Sequence, residues 1–211
     1  MPEISTLVAF VAAAFVLAIV PGPGMFYILG RTLAAGRSDG YASVAGTALR
    51  GLVHVLAGVL GISAIIMAST TAFTALKIVG GFYLVYLGIQ TWRSAATISI
   101  DAQGSKKAGT GRAFWDGVTV EATNPKTAAF FLALIPQLID PAHGSVAGQF
   151  LVLGLISIGT NTLTALTVAA SASSIRSRLL MKPSIIRRIR QGSGAMLASL
   201  GLWLFLSRRP A

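Results

Sequence analysis

Two proline motifs lie inside long apolar stretches, where a membrane-spanning helix would otherwise continue. They are Val20-Pro21-Gly22-Pro23-Gly24 and Thr123-Asn124-Pro125-Lys126. Proline has no backbone N–H and clashes with the preceding turn, so each motif predicts a broken helix, with proline in the first turn of the helix that resumes. Gly22 and Asn124 are expected to be the N-caps of the resumed helices.

The chemistry predicted at these breaks is anion binding. The first turn of a helix carries unpaired N–H groups and the positive end of the helix dipole, and two such ends that converge near the midplane suit a carboxylate. The alternative is that the prolines only kink two helices for packing. The candidate substrate-binding set is Pro21, Gly22, Pro23, Gly24, Asn124, Pro125 and Lys126.

Two ionisable side chains, Glu121 and Lys126, fall inside an apolar stretch. Burying an ionised group there costs at least a few kcal/mol, so both need partners, water or a task. Glu121 lies four residues before Pro125, where the helix opens, and it is our candidate for binding a substrate ammonium or for carrying a proton. An internal ion pair between Glu121 and Lys126 is the alternative interpretation.

Three further residues are weaker site candidates. Arg50 and His54 are one turn apart on a predicted helix, on a face that lines either a cytoplasmic vestibule or the lipid boundary. Asn161 stands among threonines in another apolar stretch. His54 has no cysteine or acidic partner at ligand spacing, and no nucleophile elbow, zinc helix or phosphate loop occurs. We therefore predict no metal, no cofactor and no enzyme activity.

The elements that position these residues must be membrane helices. The chain has 211 residues, of which 54% are hydrophobic and only 11% charged, whereas a soluble domain carries about a quarter charged residues. Apolar windows predict about six transmembrane helices, so the predicted fold class is an all-α polytopic membrane protein. The windows are residues 4–33, 41–67, 73–92, 113–139, 146–171 and 192–206.

The net charge of +11 comes from basic residues in the short connections between these windows. The first, third and fifth connections and their flanks hold thirteen of the seventeen Lys and Arg residues. The positive-inside rule therefore places these connections in the cytoplasm and both termini outside, and no nucleic-acid partner is predicted. The basic stretch 175–190, which contains Pro183, is either a helix on the anionic leaflet or a solvated loop.

The chain divides into two sets of three helices, each opened by a broken helix. Residues 1–94 form the first set, residues 95–112 a cytoplasmic linker rich in Ala, Ser, Gly and Lys, and residues 113–211 the second set. Because three is an odd number, the second set must be inverted relative to the first. The small residues in the helices are assigned to helix packing.

Several segments together resemble the lysine exporter and homoserine/threonine exporter family, LysE/RhtB-type translocators, over nearly the whole chain. They are Pro21-Gly22-Pro23, GRSDG at 36–40 with Gly46, KIVGGFYLVYLG at 77–88, Asn124-Pro125-Lys126 with Phe130-Phe131 and Pro136-Gln137, and GAMLASLGLWL at 194–204. The resemblance implies a bacterial exporter of amino acids or related metabolites, with the proton-motive force as the driving force. It also implies that the two proline motifs form a central site.

The sequence therefore predicts a secondary transporter in the bacterial inner membrane. Its expected partners are a small zwitterionic substrate, protons and the lipid bilayer, and a homodimer is a candidate assembly. We expect the substrate carboxylate at the two helix breaks and its ammonium near Glu121. The alternative function is a non-transporting membrane scaffold or partner-binding subunit.

Overall fold

The computed structural model describes residues 4–62, 64, 69–94, 109–172 and 183–206, and the regular structure within them is helical throughout. The all-α prediction is thereby confirmed. The helices are α1 (Ile4–Ile19), α2 (Pro23–Ala35), α3 (Arg37–Ala57), α4 (Thr70–Arg93), α5 (Gly109–Ala122), α6 (Pro125–Ala129), α7 (Val146–Ala170) and α8 (Pro183–Leu206). A π-helical turn, Gly58–Ile62, extends α3.

Three helical segments are each long and apolar enough to cross a membrane: Arg37–Gly61, Thr71–Arg93 and Val146–Ala170. The pair formed by α1 and α2 is together long and apolar enough to form a fourth span, and it bends by 49° at the first proline motif. The second broken helix consists of α5 and α6, and it continues through a π-helical turn, Phe130–Leu134, and a 3-10 turn, Ile135–Leu138. Together with α8, these helices overlap all six predicted windows, although residues 63 and 65–67 of the second window lie outside the described residues.

Several predicted helix boundaries were wrong, and each error has a local cause. Helix α3 begins at Arg37 rather than at residue 41, directly after Gly36, whose φ of 100° ends α2. Helix α8 begins at Pro183 rather than at residue 192. Proline is tolerated in the first turn of a helix, so Pro183 is compatible with its place as the first described residue of α8.

The linker and the basic stretch are only partly described. Residues 109–112, which were assigned to the linker, belong to the first turn of α5. In the basic stretch, residues 183–190 are part of α8, whereas 175–182 lie outside the described residues, as do 95–108 of the linker. The alternatives of a leaflet-bound helix and a solvated loop therefore apply only to residues before Pro183.

Helices α4 and α8 pack closely through glycines spaced seven residues apart. A Cβ added to Gly88 would lie 2.5 Å from the carbonyl oxygen of Gly194, and one added to Gly201 would lie 2.7 Å from that of Gly81. In the same way, a Cβ on Gly117 of α5 would lie 2.5 Å from the carbonyl oxygen of Ser43 in α3. These glycines let backbones approach where lipid provides no hydrophobic drive, as the sequence predicted for the small residues.

Contacts between the two halves of the chain follow a crossed pattern. Helix α3 packs on α5, α1 packs on α7, α3 also packs on α7, and α4 packs on α8. The main apolar core lies between the halves and includes Phe10, Phe130, Phe131 and Phe150. The two proline motifs are thereby brought to the centre of the protein.

Candidate functional site

The first break, residues 20–24, leaves carbonyl groups of α1 without helical partners. In a continuous helix the N–H of residue 21 would bond the carbonyl of Leu17, but Pro21 has no N–H to give. Gly22 is the N-cap of α2 and has an extended backbone, with φ −107° and ψ −175°. The chain therefore bends at a point where α1 presents unpaired acceptors at the negative end of its dipole.

Lys126 of the second break supplies the missing donors. Its Nζ donates to the carbonyl oxygen of Leu17 at 2.8 Å and to that of Val20 at 2.9 Å. The ammonium thus caps the C-terminal end of α1 from the other half of the chain, where a cation is favoured by the helix dipole. The prediction that Lys126 adds positive charge where the breaks meet is consistent with this position, but its direct partners are the carbonyls of α1.

The second break, residues 123–126, is built around the side chain of Asn124. As predicted, Asn124 is the N-cap of α6, and its Oδ1 accepts from the backbone N–H of Lys126 at 3.2 Å. Its Nδ2 donates to Oε2 of Glu121 at 3.0 Å, and the Thr127 hydroxyl donates to Oε1 of Glu121 at 2.6 Å. The buried carboxyl group is therefore held by two neutral donors, one on each side of Pro125.

The two breaks meet through glycines of the first and side chains of the second. A Cβ on Gly24 would lie 3.1 Å from Oε2 of Glu121, and one on Gly22 would lie 3.4 Å from Cδ of Lys126. Within the described residues, Glu121 and Lys126 form no ion pair within 4.0 Å, so the alternative of a direct internal pair is not what the structure contains. Each charged group has its own set of partners.

Cavities of very different size border Lys126. The large cavity, about 440 Å³, lies between both breaks and the facing ends of α4 and α8. Two inner cavities, of about 40 Å³ and 20 Å³, lie on the Glu121 side, and Asn161 lines both of them. Only the large cavity has the size of a small-molecule site; the inner ones hold little more than water.

Arg50 and His54 stand apart from these cavities. The wall that α3 contributes to the larger inner cavity consists of Thr47, Ala48 and Gly51. His54 instead stacks on the ring of Phe131, with centroids 6.0 Å apart. The structure therefore brings Asn161 to the predicted site but leaves Arg50 and His54 beside it.

A cluster of charges links α2, α3 and α5 near the predicted cytoplasmic ends of these helices. Asp116 lies one turn after Arg112 on α5 and contacts it at 3.9 Å, and it also lies 4.0 Å from Arg31. Arg31 is buried and forms a second ion pair with buried Asp39 at 3.3 Å. The positive-inside rule assigned Arg31 only a topological role, because hydropathy windows do not reveal that two charges become buried together.

Sequence reasoning also missed Thr127 and Arg190. Thr127 lies six residues after Glu121, a spacing that no regular helix brings together and that only the break allows. Arg190 lines the large cavity, although it was counted among the basic residues of a connection. Its signal was its position four residues before Gly194, which places it on the face of α8 that packs against α4.

Helices able to span a membrane, one of them a bent pair, and a buried polar site where two helix breaks meet define a polytopic membrane protein with the architecture of a transporter. The sequence model of the LysE type translocator family matches residues 15–208. The chain therefore belongs to the LysE type translocator family. It is an integral membrane translocator and not an enzyme.

Individual relatives match along most of their length. An uncharacterized membrane protein of Vibrio cholerae is 30% identical over 96% of this chain and 97% of its own. The homoserine/homoserine lactone efflux protein of Salmonella typhi is 28% identical over 95% of this chain and 96% of its own. The leucine efflux protein of Salmonella choleraesuis is 24% identical over 68% of each chain. No solved structure matches the chain significantly.

Proposed function

We propose that this protein exports a neutral amino acid, or a closely related small zwitterion, across the bacterial inner membrane in exchange for protons. The observation that carries the proposal is the meeting of two broken helices at a buried carboxyl group and a buried ammonium group, next to a cavity of about 440 Å³. Residues 21–24 and 124–126 form the binding site. The family assignment favours this function over a membrane scaffold.

A neutral substrate is supported by the charges around the large cavity and by the names of two relatives. Lys126 and Arg190 line this cavity, and no acidic side chain does so among the described residues. A substrate with a basic side chain would meet repulsion there, whereas a carboxylate would be attracted. Homoserine and leucine, which two relatives are named for exporting, both have uncharged side chains.

The crossed packing of the helices supports two inverted repeats. The proposed symmetry pairs α1 with α5, α3 with α7, and α4 with α8. Under this pairing the α3–α5 contact corresponds to the α7–α1 contact, whereas the α3–α7 and α4–α8 contacts each correspond to themselves. A two-fold axis in the membrane plane produces this pattern. With the basic connections in the cytoplasm, the large cavity opens toward the cytoplasm between the C-terminal end of α4 and the N-terminal end of α8.

Proton coupling is assigned to Glu121. Its carboxyl group is buried and bonded to neutral donors, with no cation within 4.0 Å among the described residues, so a negative charge there is costly in the membrane. Taking up a proton removes that cost. Glu121 lines both inner cavities, which are of water size, so its carboxyl group borders space through which a proton can pass. Release of the proton would accompany rearrangement of the helix breaks.

The test is efflux from proteoliposomes loaded with labelled leucine, homoserine or lysine, under an imposed pH gradient. We expect efflux of at least one of the two neutral amino acids, faster with the gradient than without it, and little efflux of lysine. If none of the three leaves the vesicles, the exporter proposal is wrong; rapid lysine efflux would contradict the neutral substrate.

Coupling is tested separately with Glu121→Gln, which keeps the shape of the side chain and one of its two acceptor oxygens but does not titrate. The variant should lose stimulation by the pH gradient while still exchanging internal for external substrate. Thr160→Val is the matched control, because Thr160 lies on α7 and donates to the carbonyl of Ile156 in its own helix. Gradient stimulation that survives in Glu121→Gln would remove this residue from the coupling role.

A further inference from the structure

The large cavity has a second cationic wall, opposite the helix breaks. Arg190 of α8 is partly buried, and its Nη2 donates to the hydroxyl of Ser94 at 2.9 Å. The same hydroxyl donates to the carbonyl oxygen of Gln90 at 2.8 Å. This chain of hydrogen bonds holds the guanidinium across the gap between α4 and α8, at the predicted cytoplasmic end of the cavity.

Within the part of the chain that the structure describes, Ser94 is the one hydrogen-bond partner of the Arg190 guanidinium. Arginine has five N–H donors in a planar fork, and one of them is occupied by Ser94. Among the described residues, no carboxylate lies within 4.0 Å of Arg190. A partly buried arginine with several unused donors, on the wall of a cavity of about 440 Å³, is suited to bidentate binding of a carboxylate.

The rest of the cavity matches a small amino acid. Thr91 and Ser193 add hydroxyl groups to the wall near Arg190, and Phe26, Leu87 and Leu197 provide apolar surface. Lys126 and the first break form the opposite wall. The inner cavities beside Glu121, at about 40 Å³ and 20 Å³, are too small for an amino acid, so the substrate must bind in the large cavity first.

We propose that Arg190 is an initial binding site for the substrate carboxylate on the cytoplasmic side, occupied before the substrate reaches the helix breaks. The proposal rests on the exporter function for its place in transport, but not for the binding chemistry. It predicts that carboxylate-bearing substrates are captured at Arg190, oriented by its fork, and then passed to Lys126 and the helix ends as the helices rearrange.

The rival explanation is that Arg190 only ties α4 to α8 by capping the C-terminal end of α4 through Ser94. The two roles differ in what they predict. A structural tie affects the folded protein and therefore every substrate alike, whereas a carboxylate site affects apparent affinity, and only for ligands that carry a carboxylate. The matched control is Arg187→Gln, because Arg187 is one turn earlier on α8 and exposed.

Transport is measured in inverted membrane vesicles, where the cytoplasmic face meets the external solution, with leucine as substrate and leucinamide as inhibitor. Leucinamide keeps the ammonium and the side chain but lacks the carboxylate. Arg190→Gln should raise the KM for leucine roughly tenfold to a hundredfold, the loss expected for a charge-assisted pair, with a maximal rate within about twofold of the parent. Arg190→Lys should recover part of the affinity.

The inhibition constant of leucinamide should be the same in the parent, Arg190→Gln and Arg187→Gln. Equal changes for leucine and leucinamide, or a KM no different from that of Arg187→Gln, would overturn the carboxylate site. Binding of leucine, homoserine and leucinamide to the purified protein in nanodiscs is measured in parallel by calorimetry. Selective loss of carboxylate binding in Arg190→Gln supports the carboxylate site even if no transport is observed. A failure of the carboxylate-site proposal can therefore be distinguished from a failure of the exporter proposal.

Discussion

The two broken helices present different chemical groups at their breaks. At the first break, glycine and proline leave the backbone bare, and the groups presented are the carbonyls of Leu17 and Val20. At the second break, side chains carry the chemistry: Glu121, Asn124 and Lys126 are held within a few residues of one another. The first break offers acceptors and close approach, and the second offers charge.

This difference shows that neither half contains a complete site. The ammonium of Lys126 is stabilised by the other half of the chain, and Gly24 leaves the space that the carboxyl group of Glu121 occupies. Two breaks of equal composition would place like groups against each other. Their unequal composition makes them complementary, which favours contact between the two halves.

The largest expected effect comes from removing the one charge that joins the breaks. Lys126→Met leaves the carbonyls of Leu17 and Val20 without donors, so we expect a loss of about 1.5–3 kcal/mol in the free energy of unfolding. Efflux should fall about a hundredfold or more, because binding site and contact between halves are lost together. Efflux from proteoliposomes and urea unfolding in micelles measure the two effects.

Lys126→Arg is the control for this change, since it keeps the charge and the donors but alters their geometry. It should retain measurable efflux and most of the stability. Parent-like efflux by Lys126→Met would mean that transport does not require a cation at the carbonyls of the first break. It would contradict the proposed complementarity of the two breaks.

The next largest effect concerns how closely each broken helix packs against its neighbours. Gly117→Ala in α5 would place a Cβ 2.5 Å from the carbonyl oxygen of Ser43, so α3 and α5 must separate, at about 1–3 kcal/mol. Gly30→Ala in α2 meets nothing within 4 Å and should leave stability unchanged or raise it by up to about 1 kcal/mol. Unfolding midpoints of the two variants compare the helices directly, and equal midpoints would contradict their different packing.

A smaller effect separates the two N-caps. Asn124→Ala removes both the cap of α6 and a donor to Glu121, and should cost about 1 kcal/mol or somewhat more. Gly22→Ala keeps an extended backbone that any residue adopts, and its Cβ would be in van der Waals contact with Lys126, so about 0.5 kcal/mol or less is expected.

Asn124→Ser restores a capping oxygen without the amide donor to Glu121, and therefore divides the cost of Asn124→Ala into its two parts. Stability should recover largely with serine, whereas the pH dependence of efflux should not. Recovery of both in Asn124→Ser would show that the bond to Glu121 has no part in coupling.

The smallest effect lies in the loop that follows the second broken helix and precedes α7. The pKa of Asp140 is held below its ordinary value of 3.8, first by the backbone N–H of Ala142 and then by the hydrogen bond with His143. Because the folded pKa is lowered, the carboxylate stabilises this loop above about pH 4, and the contribution is lost as the pH falls through the folded value.

The amide chemical shift of Ala142 should follow this titration, with a midpoint below 3.8 in the parent protein. In Asp140→Asn, which keeps an oxygen at the same position, the titration should vanish. A midpoint at or above the ordinary value would show that the two hydrogen bonds do not hold the loop.

The parts of the fold and site that could be predicted are those set by local chemistry. Hydropathy indicated membrane helices, proline at 21 and 125 indicated breaks, and the preference of asparagine for N-caps assigned Asn124 its role. The boundary errors at residues 37 and 183 arose at helix starts, where a glycine or a proline is present. Either residue can end one helix or stand at the beginning of another, depending on whether the chain continues in a helix.

The sequence by itself determined that this chain is a membrane protein with two broken helices and a carboxyl and an ammonium group within the second. Only the tertiary structure decided what those groups contact: Lys126 bonds Leu17, 109 residues away in sequence, and Arg190 bonds Ser94, 96 residues away. Helix periodicity and capping are properties of a few consecutive residues, so a sequence displays them. The partner of a buried charge depends on how whole helices dock, which is determined by glycine contacts and apolar packing along their full length.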